Sequence, residues 1–385
     1  MLVTQLHTNS PAQALLCHSQ CMRYKYSYST ELHVRRRTTL KLIARRAPNR
    51  STMAKNATAN ADPGDEVVHD FSPLLLVHRS GRLERPLAMP PVPPGHDAAT
   101  GVVSKDVSLS PFSFARLYLP PETDAGAGKK IPVLVYFHGG GFVIGSAASA
   151  AYHRCLNDLT AACGAVAVSV DYRLAPEHPL PAAYEDSLAA LKWVLSAADP
   201  WLAERADLSR IFLAGDSAGG NICHHLAMHH DLRGTAGRLK GIVLIHPWFW
   251  GKEPIGEEPR PGRAEGVEQK GLWEFVCPDA ADGADDPRMN PIAEGAPRLE
   301  KLACEKVMVC VAEGDFLRWR GRAYADAAAR ARGPEPAVEL FESEGVGHVF
   351  YLYEPATEKA RELLKRIVAF VRAEGSRSAR AVAQC

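Results

Sequence analysis

Ile211-Phe212-Leu213-Ala214 runs directly into Gly215-Asp216-Ser217-Ala218-Gly219. The apolar run reads as a buried strand, and a G-x-S-x-G sequence at its end puts the serine on a tight, strained turn before a helix. Glycines two residues before and after the serine let strand and helix approach, and the turn lifts the hydroxyl clear of the backbone. A second glycine cluster, His138-Gly139-Gly140-Gly141-Phe142, closes the earlier apolar run Val133-Leu134-Val135-Tyr136-Phe137. A serine attacking an ester carbonyl creates an oxyanion, which needs preorganised N–H donors from the residue after the serine and from a glycine-rich loop. Ala218 is expected to supply one donor and the run Gly139, Gly140, Gly141 the others. The chemistry these two clusters point to is acyl transfer.

Outward from the serine, strand and helix patterns alternate. Leu74–His78 with the Ser80-Gly81 turn reads as a first hairpin, and Pro86 to Pro94 as a surface loop. Strands are expected at Ser113–Leu119, Pro132–Phe137, Ala165–Val170, Ile211–Ala214, Ile242–His246, Val307–Ala312 and Val338–Phe341, with a Gly-rich turn at Asp124–Lys130. Helices are expected at Tyr152–Cys163, Ala182–Ala198, Arg322–Arg332 and Glu358–Glu374. This alternation implies an α/β fold with a mostly parallel sheet covered by helices on both faces. Pro247 to about Leu302 breaks it, and the segment's Trp248, Phe249, Trp250 and Trp273 are expected to fold over the serine as a cap. Residues 54–72 are expected to complete that cap, and these four aromatics with Phe142 to contact substrate.

A serine needs a base at hydrogen-bond distance, and the base needs an acid to fix its tautomer. In folds carrying this turn the chain order is serine, acid, histidine. Val307–Ala312 leads into Glu313-Gly314-Asp315, which places Asp315 at the C-terminal end of a buried strand, where ligand chemistry in open α/β sheets takes place. The strand ending at Phe341 is followed by the glycine-flexed loop Glu342 to His348, which carries His348 over the same edge. Ser217, Asp315 and His348 are the expected nucleophile, acid and base. His224, His225, His229 and His230 read as helix-face residues, because no Glu or Cys joins them at metal spacing. No metal and no cofactor is expected. Asp216 reads as a hydrogen-bonding residue of the turn, and His138 as an orienter of the glycine loop.

The chain has 385 residues, 46% of them hydrophobic, with 45 Lys/Arg against 44 Asp/Glu. That balance gives no reason to expect nucleic acid or an anionic membrane as partner. No apolar stretch is long enough for a membrane span. Nine cysteines, odd in number and without C-x-x-C pairs, suggest reduced thiols and a cytoplasmic setting. Residues 1–52 hold nine Lys/Arg and one acid, Glu31. They are expected to be a disordered extension, either an organelle transit peptide or a segment ahead of an alternative start at Met53, with residues 53–385 forming a single domain.

From about Phe71 to Val371 the sequence resembles the plant carboxylesterases of the hormone-sensitive-lipase-like group of α/β-hydrolases. The resemblance rests on five ordered blocks: His138 to Phe142, Asp171 to Pro179, Gly215 to Asn221, Asp285 to Pro291 and Gly345 to His348. It implies an eight-stranded sheet, a cap, hydrolysis of small-acyl esters, and Gly140, Gly141 and Ala218 as oxyanion donors. The same family holds gibberellin receptors, which keep the fold without hydrolysis, and dehydratases acting on 2-hydroxyisoflavanones. Receptors typically lack the histidine present here as His348. Trp319 is a departure, since relatives commonly carry an Asp there.

Overall fold

The computed structural model describes residues 65–122, 128–233, 238–258, 271–333 and 337–373. Expectations for residues 1–52, for the 54–64 part of the leader, for most of the Gly-rich turn and for 259–270 of the inserted segment lie outside these. Three short strands come first: β1 (Val67–Phe71), β2 (Leu75–His78) and β3 (Leu83–Glu84) form a small antiparallel sheet. The β2–β3 hairpin closes where Gly81, at φ +86°, donates to the His78 carbonyl at 2.9 Å.

The main sheet has eight strands. Along the chain come β4 (Val103–Ser110), β5 (Ser113–Leu119), β6 (Ile131–Phe137), helix α1 (Ala150–Cys163), β7 (Val166–Asp171), α2 (Ala182–Leu195), α3 (Pro200–Arg205) and β8 (Ala206–Asp216). After these follow α4 (Ala218–Met228), α5 (His230–Arg233), β9 (Leu239–Ile245), α6 (Leu272–Val276), β10 (Lys306–Ala312), α7 (Arg318–Arg332), β11 (Val338–Ser343), α8 (Phe350–Tyr353) and α9 (Glu358–Arg372). The strand order is β11-β10-β9-β8-β6-β7-β5-β4. β4, β5 and β7 pair antiparallel, and every other neighbouring pair is parallel.

Because strands alternate sides, the sheet splits its apolar residues between two cores. Val133, Val135 and Phe137 of β6 pack with α2, α4 and α7, whereas Leu134 and Tyr136 of the same strand pack with α1, α8 and α9. Helix α9 shows why it docks: Ala360, Leu363, Ile367 and Phe370 recur at helical spacing on its buried face, and Thr357 caps it by accepting from Ala360 N–H. Among the described residues no helix is long and apolar enough to cross a membrane.

Two strands escaped the sequence reading. β4 is an edge strand whose exposed positions are Asp106 and Ser108 and which carries Lys105 and two further serines, so its apolar signal is weak, and β1 is exposed over most of its length. Helix α7 begins at Arg318, four residues before the expected start, because its first turn serves the inserted segment rather than the sheet. Arg320 of that turn donates through Nε to Glu258 Oε1 at 2.8 Å, through Nη2 to Oε2 at 2.9 Å, and to the Glu253 carbonyl at 2.6 Å. Both charged side chains are buried. Beside them Trp319, the departure noted above, lies against Gly256 in its left-handed turn (φ +58°), with the Arg318 guanidinium 4.7 Å from the ring centroid.

Removing one member of a buried ion pair strands the other charge in low dielectric, whereas replacing both with apolar groups does not. Glu258→Leu is therefore expected to lower unfolding free energy by about 3–5 kcal/mol, and Arg320→Met/Glu258→Leu to recover most of it. Urea denaturation of the two variants checks this; a double variant no more stable than the single one would contradict it.

Candidate active site

Strand β8 delivers Ser217 at its end, with φ +51° and ψ −116°. A non-glycine residue at positive φ is strained, and here the neighbours hold it there. Its N–H donates to Ile245 O at 2.9 Å, and its carbonyl accepts from Trp248 N–H at 2.9 Å. Glycine is required on both sides: a Cβ at Gly219 would sit 1.9 Å from the Phe137 carbonyl oxygen, and one at Gly215 would sit 2.5 Å from the Gly219 carbonyl.

Asp315 and His348 come together as the sequence led one to expect. Asp315 is buried in the turn after β10, and its Oδ1 accepts the Leu317 N–H at 3.0 Å. His348, in the loop after β11, puts Nδ1 2.7 Å from Asp315 Oδ2. Burial alone would raise the Asp315 carboxyl, yet the charge and hydrogen bond of His348 outweigh it and hold it below the ordinary range. The ionised carboxylate makes Nδ1 the protonated nitrogen and leaves Nε2 as the free base. Burial pulls His348 down, while the Asp315 charge and hydrogen bond, with a smaller contribution from Asp216, hold it above its ordinary 6.5.

The glycine loop needs one correction. Gly139 N–H donates to Tyr152 Oη at 2.8 Å, so it is engaged and unavailable to an oxyanion. Among the described residues the N–H groups of Gly140, Gly141 and Ala218 have no acceptor. Tyr152 in turn donates to Asp216 Oδ2 at 2.8 Å, and Tyr136 donates to Oδ1 at 2.8 Å. His138 stacks on Tyr172 with centroids 4.2 Å apart and places Nδ1 2.8 Å from Gly139 O.

The aromatic residues expected to touch substrate divide. Trp248 lies 3.9 Å from where a Gly141 Cβ would stand, next to Leu272 of α6 at 3.1 Å and Leu74 at 3.2 Å. Trp250 meets Phe316 edge-on at 6.0 Å, and Phe316 meets the His348 ring at 6.3 Å. Phe142 and Trp273 are buried behind Trp248, with centroids 6.0 and 6.2 Å away. Phe249 does not belong to the site: it is buried against Tyr324 (5.0 Å) and His224 (5.6 Å), between α4 and α7. Leu74 and Phe316 were missed; only the position of Phe316, directly after Asp315, hinted at a role.

Of the four histidines read on this helix, His224 and His225 are packing groups, while His229 caps the helix end and His230 is exposed. His224 is buried, with Nδ1 2.9 Å from Tyr324 Oη, and burial pushes it down to about 3; His225 stacks on Tyr184 at 3.9 Å. His229, His230 and Asp231 could approach one cation, but Asp231 already pairs with Lys192 at 2.6 Å. A cleft of about 390 Å³ opens away from the triad, between Arg85, Tyr172, Arg173 and Glu177. Its charges are satisfied internally, Arg85 by Glu177 at 2.6 Å and Arg173 by Asp186 at 2.8 Å.

A serine on a strained strand-to-helix turn with an acid–histidine pair at neighbouring strand ends defines a serine hydrolase of α/β architecture. Residues 134–352 match the family model described as the alpha/beta hydrolase fold. "Probable carboxylesterase 2" of Arabidopsis thaliana is 44% identical over 309 residues, 80% of this chain and 96% of the relative. "Tuliposide A-converting enzyme 1, chloroplastic" of Tulipa gesneriana is 44% identical over 80% of this chain and 79% of its own. "2-hydroxyisoflavanone dehydratase" of Glycyrrhiza echinata is 42% identical over 80% and 96%. Among solved structures, the thermostable carboxylesterase EstE1 aligns with a TM-score of 0.57 at 30% identity, over 70% of this chain and 88% of that one. The chain belongs to the α/β-hydrolase fold family, in its group of plant carboxylesterases.

Asp216 supplies a test of the electrostatics. Burial raises its carboxyl to about 6, although the hydroxyls of Tyr136 and Tyr152 pull the other way. Between about pH 4 and pH 6 the folded chain holds a proton that the unfolded chain releases, so Asp216 subtracts stability as pH rises. The stability of the wild type relative to Asp216→Asn is expected to fall by about 2 kcal/mol from pH 4 to pH 7. Urea melts of both proteins across that range measure it; a difference independent of pH would refute the raised carboxyl.

Proposed function

We propose that this chain hydrolyses small carboxylic esters through an acyl-enzyme on Ser217, with His348 as general base and acid and Asp315 as its orienting acid. The observation that carries the reading is the His348–Asp315 pair at 2.7 Å, in a chain whose strand β8 leads into a serine held at φ +51°. Ser217 Oγ attacks the ester carbonyl while His348 Nε2 takes its proton, and Asp315 stabilises the imidazolium. The tetrahedral oxyanion is met by the N–H groups of Gly140, Gly141 and Ala218, each contributing about 3 kcal/mol. Collapse expels the alcohol with the proton from His348. Water, activated by the same histidine, then attacks the acyl-enzyme and releases the acid. No step calls on a cofactor.

Leu74, Leu272 and Trp248 stand over Gly141, which supports a short acyl chain. The described parts of the leader and the inserted segment, residues 65–72, 247–258 and 271–302, act in this reading as the cap. A hormone receptor of the same fold needs no base, so the His348–Asp315 pair favours the enzyme. A dehydratase would use the same residues to eliminate water from a hydroxyketone, and product mass distinguishes the two.

The tulip relatives carry the words chloroplastic and amyloplastic in their names. Together with the basic residues 1–52, they support an organelle as the location of this chain, in place of the cytoplasm.

Purified protein is expected to turn over p-nitrophenyl acetate and butyrate, with rates falling steeply for longer acyl chains. Ser217→Ala is expected to abolish turnover and Asp315→Asn to lower kcat about 10³–10⁴-fold. Because His348 must be neutral to act and sits above 6.5, kcat/KM is expected to fall with decreasing pH along a limb centred above 6.5. Turnover by Ser217→Ala at the parent rate would sink the assignment.

Residues 1–52 fused ahead of a fluorescent protein are expected to direct it to plastids in leaf cells. Diffuse cytoplasmic fluorescence would overturn the organelle reading.

A further inference from the structure

The three strand ends that carry Ser217, Asp315 and His348 are tied together at one point, the end of β9. Ser217 N–H donates to Ile245 O and Trp248 N–H donates to Ser217 O, both at 2.9 Å, so the nucleophile's peptide is clasped by residues on either side of His246-Pro247. His246 N–H donates to Cys310 O at 2.8 Å, on the strand that leads to Asp315. Its ring Nδ1 accepts the Val349 N–H at 2.9 Å, and Val349 directly follows His348.

Val349 makes that last bond necessary. It sits at φ +44° and ψ +32°, a left-handed conformation that a β-branched residue adopts only when its surroundings hold it there. Among the described residues His246 Nδ1 is the acceptor its N–H finds. Because Nδ1 accepts, the proton of the neutral ring is on Nε2. His246 is buried, and burial pushes it down to about 4, so the Nδ1 lone pair persists at any pH where the enzyme would work. A ring nitrogen of His246 lies within 4.8 Å of ligand atoms of Asp315 and His348, the residue types of a metal site. The committed Nδ1 lone pair and protonated Nε2 leave this histidine nothing to offer a cation in that state. The other groups against it are the rings of Phe350 and Tyr351, with centroids 6.0 and 6.3 Å away.

We propose that His246 is a positioning residue for the base: its neutral imidazole holds the strained Val349 peptide and so keeps His348 in register with Asp315 and Ser217. The inference rests on the hydrolase reading above for its consequence in turnover, but not for its geometry. Loss of the Nδ1 acceptor frees Val349 to relax, and His348 moves with it.

His246→Phe removes the acceptor and keeps the ring, while His246→Asn restores an acceptor near the Nδ1 position. In His246→Phe, kcat for p-nitrophenyl acetate is expected to fall about 100-fold with KM within about twofold, as for a reacting group displaced by about 1 Å. The acid limb of kcat/KM is expected to move to lower pH, because a base displaced from Asp315 loses the partner that raises it. His246→Asn is expected to recover most of kcat and the original limb. Proton NMR reads the geometry without substrate: the downfield His348 Nδ1–H signal of the bond to Asp315 is expected in the wild type and in His246→Asn, and lost in folded His246→Phe. Signal and kcat intact in His246→Phe, or equal losses in both variants with an unmoved limb, would overturn the proposal. A wild type that shows the signal, loses it in His246→Phe and turns over no ester would retain the positioning role and overturn the hydrolase reading instead.

Discussion

Everything around the site follows from the left-handed peptide at Ser217. To hold that residue at φ +51°, the chain brings β6, β8 and α4 so close that backbone meets backbone, with no room for a Cβ at Gly215 or Gly219. That approach sets the next position as well. Asp216 is driven under the glycine loop until its Oδ2 lies 2.4 Å from where a Gly139 Cβ would be, which makes Gly139 obligatory. A carboxylate buried there must find donors, and it finds the hydroxyls of Tyr136 and Tyr152. Tyr152 then takes up the Gly139 N–H, leaving the two glycines beyond it to face the reaction. The glycine loop proposed to bind the oxyanion is thus shaped from below by the residue beside Ser217.

The residues proposed as the catalytic set were legible because each lies where a strand pattern ends. Parallel strands buried on both faces read as continuous apolar runs, and Ser217 and Asp315 follow two of them, whereas His348 follows the partly exposed edge strand β11 and was read from its glycine-flexed loop. The β4 edge of the sheet was not legible for the complementary reason. β4 is half solvated and rich in Ser, Lys and Asp, so neither a continuous run nor a clean alternation marks it. Gly139 could not be told from Gly140 and Gly141 by type, since the difference lies in a hydrogen bond to a tyrosine from α1. His246 was read only as the end of a strand; its link to Val349 spans more than a hundred residues of chain.

The aromatic residues of the inserted segment teach a narrower lesson. A large apolar side chain signals burial, and burial against the protein is as effective as burial against a ligand. Phe249 fills the gap between α4 and α7, Trp273 donates Nε1–H to Gly283 O at 3.0 Å, and only Trp248 and Trp250 reach toward the glycine loop and the base. Composition alone could not sort them.

What fastens the inserted segment is polar. Asn221, one turn into the helix after the serine, donates to the carbonyls of Trp248 (3.1 Å) and Arg288 (2.7 Å), and accepts from Tyr184 Oη at 2.7 Å. Arg320 grips Glu258 and Glu253 from the helix after the acid. The segment is therefore anchored on the helices that follow Ser217 and Asp315, with Trp248 held by its backbone, while the apolar wall at Leu272 takes no part in those anchors. In the proposed reading, a substitution at the Leu272 wall changes which ester fits, whereas one at the Asn221 or Arg320 anchors moves the helices that follow Ser217 and Asp315.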